Sequence, residues 1–193
     1  MKLTVTYLSV LVLFYFNSCN NSGSVTESET TGKDEIFYPI TSFIKQQVSL
    51  VDSLPLAVFK YTTVNGRTDS AIVSKEDFKK AAARFLYPDI SDPSLKESYE
   101  ETTFLDATIN TVTITYNAKD KDAEIRKADV LINPENDKVK NIYIEKHTER
   151  NDSSVTHKLL WKANRNFQVI SIISTPGKPE MVRQEKYVWD FDN

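Results

Sequence analysis

Few side chains in this 193-residue sequence could carry chemistry unaided. Its two histidines, His147 and His157, stand on either side of "TERNDSSVT". If the flanking segments pair as strands, the imidazoles could meet near the loop. A tetrahedral metal site would still need a third ligand at helix or turn spacing, and none stands nearby. Solvated histidines at a loop edge are the simpler reading. In "DKDAE", Asp120, Asp122 and Glu124 alternate as in a calcium loop, without its glycine or its distal bidentate glutamate, which leaves a solvated turn. The four glycines, Gly23, Gly32, Gly66 and Gly177, are too scattered for a phosphate-cradling loop or a dinucleotide fingerprint, and no G-x-S-x-G elbow occurs. No catalytic residue, metal or cofactor is therefore assigned.

Aromatic side chains offer a different chemistry. Tyr116, Tyr143, Trp161, Phe167, Tyr187, Trp189 and Phe191 all fall on segments that read as strands. Such rings either fill a core against helices or line an apolar or carbohydrate-binding groove on a sheet. Tyr143, Trp161, Tyr187 and Trp189 are the candidates for facing a ligand. Acidic residues are plentiful, but sequence does not show which two of them converge on a cleft.

The elements that must position these residues follow from periodicity. "DEIFYPITSFIKQQVSLVDSL" places Ile36, Phe37, Ile40, Phe43, Ile44, Val48 and Val51 at helical spacing, with Asp34 and Glu35 suited to the first turn, Pro39 near the start and Pro55 at the end. "PLAVFKYTTVNGRTDSAIVS" is rich in β-branched and aromatic residues around Asn65-Gly66, which suits a type I′ turn joining strands at about 56–64 and 67–73. "SKEDFKKAAARFLYP" reads as a second helix, with Ser74 and Asp77 at capping spacing, an apolar stripe of Phe78, Ala81, Ala82, Phe85 and Leu86, and Pro88 as its stop. Six strands follow: "TVTITYNA", "IRKADVLI", "VKNIYIEK", "VTHKLLWKA", "FQVISIIS" and "VRQEKYVWDF", separated by turn-rich connections. The expected fold is α+β, with two helices on one face of a curved antiparallel sheet, ordered helix, hairpin, helix and then a meander of about six strands. A half-open β-barrel similar to periplasmic lipoprotein carriers is the alternative.

The N-terminus has a separate purpose. Met1 and Lys2 precede an apolar run from Leu3 to Phe16, too short for a membrane span of about 20 residues and laid out as an export signal. It ends at "NSC", which holds the only cysteine, Cys19. This resembles the relaxed lipobox of Bacteroidota envelope lipoproteins, in which the cysteine becomes the acylated N-terminus. Phe16 and Asn17 depart from the usual aliphatic and small residues. The segment after Cys19, rich in Ser, Thr, Asn and Gly, has too little apolar surface to fold and reads as a tether. The expected division is 1–18 signal peptide, 19–33 lipidated cysteine and tether, and 34–193 a single domain. The chain also resembles uncharacterised Bacteroidota lipoproteins carrying "NGRTDS" and "LLWKANRNFQVI". The same resemblance implies an address in the cell envelope. The absence of an acidic run after Cys19 favours the periplasmic side of the outer membrane. "DSL" at Ser53 and "DSA" at Ser70 are similar to the short O-glycosylation sequon of that group.

Net charge is −3, and −4 once residues 1–18 take Lys2 with them, with no basic block suited to nucleic acid. The expected partners are a membrane, through the lipid, and an unidentified protein or ligand held by the sheet, without catalysis. A lipid or lipoprotein carrier with a half-barrel cavity and a carboxylate-based envelope hydrolase are the two rival functions.

Overall fold

The computed structural model describes residues 37–189. Cys19, the export signal and the tether lie outside them, as do Asp34, Glu35, Ile36 and Phe191.

Helix α1 spans Ile40–Ser53 and buries Ile40, Ile44 and Val51 along one stripe. It starts directly after Pro39, and its first turn holds no acidic residue. Strands β1 (Val58–Val64) and β2 (Arg67–Val73) form the hairpin the Asn-Gly pair calls for. Asn65 and Gly66 have φ of 51° and 76°, both in the left-handed region that a type I′ turn requires. Helix α2 spans Lys75–Ala82 and runs into a 3₁₀ turn at Ala83–Phe85. Ser74 Oγ accepts from the Asp77 N–H at 3.0 Å and donates to the Asp77 carboxylate at 2.7 Å, satisfying one of the free amides of the first turn. A second 3₁₀ segment, Pro93–Ser98, leads into the remaining strands.

Seven strands follow, one more than the apolar patterning predicts. They are β3 (Tyr99–Asp106), β4 (Thr111–Ala118), β5 (Ile125–Ile132), β6 (Val139–Arg150), β7 (Ser153–Lys162), β8 (Asn166–Ser174) and β9 (Met181–Val188). The extra strand is β3, "YEETTFLD", which is exposed along most of its length. An edge strand with water on both faces has no reason to alternate apolar and polar residues, and so leaves no period-two signal.

The nine strands of the described residues form one antiparallel sheet in the order β2-β1-β9-β8-β7-β6-β5-β4-β3. From β3 to β9 each strand pairs with its chain neighbour. The hairpin then joins at the far end through pairing of β1 with β9, with Phe59 opposite Val188 and Val64 opposite Arg183. Among the described residues β2 and β3 remain edges, so the sheet is open.

Both helices lie against the same face. Phe78 on α2 meets Phe167 and Trp189 with ring centroids 5.5 and 5.2 Å apart, and Phe85 meets Trp161 edge-on at 5.2 Å. Phe37, ahead of α1, packs on Tyr116 at 4.6 Å, and Gln47 exchanges two hydrogen bonds with Asn164 in the β7–β8 turn. The last carbonyls of α1, which no helical amide can reach, are met by a lysine: Lys75 Nζ donates to the carbonyls of Val51 and Leu54.

A β-carbon added at Gly66 would meet no atom within 4 Å, so a substitution there is limited by φ alone. Gly66→Val is expected to lower stability by about 1–3 kcal/mol, because a β-branched residue is strained at positive φ. Thermal melting of the variant checks this, and an unchanged midpoint contradicts it.

Candidate functional site

The helix-side face of the sheet has two halves of different character. Under the helices it is aromatic: Trp161, Phe167, Tyr187 and Trp189 are all buried, with Trp161 and Phe167 stacked at 5.0 Å and Phe167 and Tyr187 at 4.6 Å. Three of the four candidate ligand-facing rings, Trp161, Tyr187 and Trp189, are thus core residues. Helices cover one side of them and the sheet the other. The fourth, Tyr143, lies on the opposite face, where its hydroxyl donates to Glu145 at 2.7 Å. Burial pushes the Tyr143 phenol up, and the Glu145 carboxylate pushes it further.

Beyond the helices the same face turns polar. Strand register brings the residues together: Glu185 stands beside Val169, Arg183 beside Ser171, Ser171 beside His157 and His157 beside Lys146. Arg84, in the 3₁₀ turn that ends α2, reaches over from the helix layer and donates to Glu185 at 2.9 Å. The result is a groove of about 590 Å³ lined by Val64, Arg84, Arg150, Val155, His157, Ser171, Ile173, Met181, Arg183 and Glu185. A smaller hollow of about 250 Å³ adjoins it, shares Arg84 and His157, and adds Tyr87, Glu124, Lys146, Thr148 and Leu159. Another concavity, of about 440 Å³, lies among the tips of the β6–β7 and β8–β9 connections, where apart from Glu149, Arg150 and Asp152 its lining is small or amide residues.

Glu185 is the pivot of the groove. It is buried, yet three cations meet its carboxylate: Lys60 at 2.6 Å, Arg84 at 2.9 Å and Arg183 at 3.2 Å. Burial alone would raise its pKa. Hydrogen bonds and charge from Lys60 and Arg84 outweigh that and hold it down at about 2. Lys146 is in the opposite position. Its buried ammonium donates to the carbonyls of Arg84 and Tyr87, closing the end of the helix layer. Burial brings its pKa down to about 8, against the pull of Glu124. His157 shares a 2.9 Å hydrogen bond with Ser171. Burial lowers its pKa first, and the charges of Arg84, Lys146 and Arg150 lower it further, so the imidazole is neutral near pH 7.

The histidines do not form a pair. His147 lies opposite Thr156, one residue out of step with His157, so the two rings point to opposite faces of the sheet. His147 bonds to Thr156 at 3.0 Å and to Glu149 at 2.7 Å. In the "DKDAE" turn, Asp120 accepts the Asp122 N–H at 2.8 Å, and no metal-binding group of three such residues occurs among the described residues. Ser53 and Ser70 are both exposed, Ser53 at the end of α1 and Ser70 on edge strand β2. The charged residues of the groove were available to sequence reading through one signal. In "VRQEKYVW" and "VTHKLLWK", Arg183, Glu185 and His157 occupy the same parity as the buried aromatics, so they must point inward.

No family model and no curated protein matches this chain. Among solved structures, the chain is similar to the S-type phycobiliprotein lyase CPES from Guillardia theta, at 8% identity and a TM-score of 0.23, over 80% of this chain and 97% of that one. A likeness of that strength carries no argument about fold or function.

Glu185→Gln is expected to cost about 1–3 kcal/mol at pH 7, since it leaves Lys60, Arg84 and Arg183 without their anion. The folded pKa of Glu185 lies below its ordinary 4.5, so its contribution is present above that value and fades as pH falls from about 4.5 to about 2. Denaturant titrations across that window should show a flatter acid limb in the variant. Parallel limbs contradict the assignment.

Proposed function

We propose that this chain is a lipid-anchored envelope protein whose sheet binds a ligand in the groove that the helices leave uncovered, without chemically altering it. The groove carries this reading. Its volume of about 590 Å³ falls in the range of small-molecule sites, and it combines apolar walls with a few converging polar groups. Strands on one side and a helix end on the other fix those groups, so the site is set before a ligand arrives. Glu185 supports binding in preference to hydrolysis, because a carboxylate held ionised by three cations is a poor proton donor. The half-barrel carrier is the second reading, and it draws on the same open sheet and the same groove.

The anchor is proposed from the sequence. Cys19 ends an export-like signal, and no helix among the described residues is long and apolar enough to cross a membrane, so attachment through acyl chains on Cys19 is the economical arrangement. The expected address is the periplasmic side of the outer membrane.

Two measurements test these claims separately. Cys19→Ala should leave an unprocessed precursor or release the protein from membranes, and intact mass of the mature wild type should show an acylated Cys19. An unmodified N-terminus at another residue contradicts the anchor. Ser171→Trp places an indole across the groove floor. Protein isolated from its own host should carry a small molecule visible by native mass spectrometry, and this variant should lose it while keeping its melting temperature within a few degrees. A bound molecule that the variant retains removes the groove from consideration.

A further inference from the structure

The charges around the groove do not balance. Lys60, Arg84 and Arg183 meet a single carboxylate, Glu185, Arg150 adds a further cation to the groove lining, and Lys146 faces Glu124 in the adjoining hollow. This excess of positive charge sits on a chain whose overall charge is −3, so it is local and not a reflection of composition. Arg84 and Arg183 each spend one terminal nitrogen on Glu185, and their side chains remain 41% and 52% exposed, leaving further N–H donors turned to solvent. Arg150 makes no ion pair among the described residues. His157 lies among the same charges: burial lowers its pKa first, and Arg84, Lys146 and Arg150 all oppose a charge on its ring. Beside these cations the wall is apolar, formed by Val64, Val155, Ile173 and Met181.

We propose that the groove takes a small amphipathic anion, with a carboxylate, phosphate or sulfate head among Arg84, Arg150 and Arg183 and an apolar tail along Val64, Val155, Ile173 and Met181. This assignment rests on the groove being the ligand site. A guanidinium presents paired donors that match the oxygens of such a head group, and three arginines around one anion are favoured over a neutral polar group. Glu185 has a positioning role: by tying Arg84 and Arg183 to the sheet it fixes where their free nitrogens point.

The test uses the full chain held in amphipol, titrated calorimetrically with decanoate, decanol, decyltrimethylammonium, acetate and inorganic phosphate, against empty amphipol. Decanoate should bind one per chain, at least tenfold more tightly than decanol, with decyltrimethylammonium weaker still and acetate and phosphate not saturating. Arg150→Gln, which breaks no ion pair within the described residues, should weaken decanoate about tenfold. Ile173→Asp should abolish the binding, with both variants retaining wild-type circular dichroism. Decanol or decyltrimethylammonium binding as tightly as decanoate overturns the anion assignment and leaves the groove as a ligand site. Phosphate binding as tightly as decanoate overturns the amphipathic part in favour of a free anion. Decanoate binding unchanged in both variants overturns the location. If no probe binds and Ser171→Trp leaves the native protein's bound mass unaltered, the groove reading itself falls with the assignment.

Discussion

Glu185 holds together parts of the molecule that are far apart in the chain. Lys60 comes from β1, Arg84 from the turn after α2 and Arg183 from β9 itself, and all three converge on one buried carboxylate. A lone ionised group in that position would be costly to desolvate, and breaking a buried pair is far more damaging than never having built one. The arrangement therefore fixes three things together: the docking of the hairpin on the meander, the place where the helix layer stops, and the direction of two arginines. The last of these turns a structural ion cluster into one wall of a groove.

Around this pivot the helix-side face is divided by what covers it. Phe78 and Phe85 seal Trp161, Phe167 and Trp189 into a dry aromatic core, where large rings gain area burial and favourable edge-on contacts. The helix layer stops at Arg84 and Tyr87, where Lys146 meets the carbonyls a helix end leaves over. One lysine thus both ends the covered half and raises the charge of the open half.

Much of this is legible in the sequence. Asn65-Gly66 announces its turn through the φ values such residues tolerate best, Ser74 and Asp77 announce the start of α2, and strict alternation in "TVTITYNA" announces β4. Strand β3 is not legible, since an edge exposed on both faces follows no hydrophobic rule. Pairing of β1 with β9 is not legible either, because register between segments about 120 residues apart is set by the whole sheet and leaves no local mark. The aromatics are visible, and the candidates for facing a ligand come from among them. The structure puts Trp161, Tyr187 and Trp189 in the core and gives the groove to charged residues of the same parity. Arg84 stands in plain view on α2's continuation, but only the folded chain shows that it leans over β9.

The junction of β1 with β9 also bears on how the chain comes to be folded. Strands β3 to β9 can pair in order as they are made, each closing a short loop. The hairpin of β1 and β2, made early, has no sheet to join until Met181–Val188 exists. Until then Lys60 has no Glu185, Phe167 lacks Tyr187, and Phe78 of α2 lacks Trp189. Contacts of such separation slow folding and lengthen the time apolar surface stays unguarded. The final strand is thus the clasp of the whole domain: a chain cut short before it would strand its own first hairpin, however complete the rest of the meander.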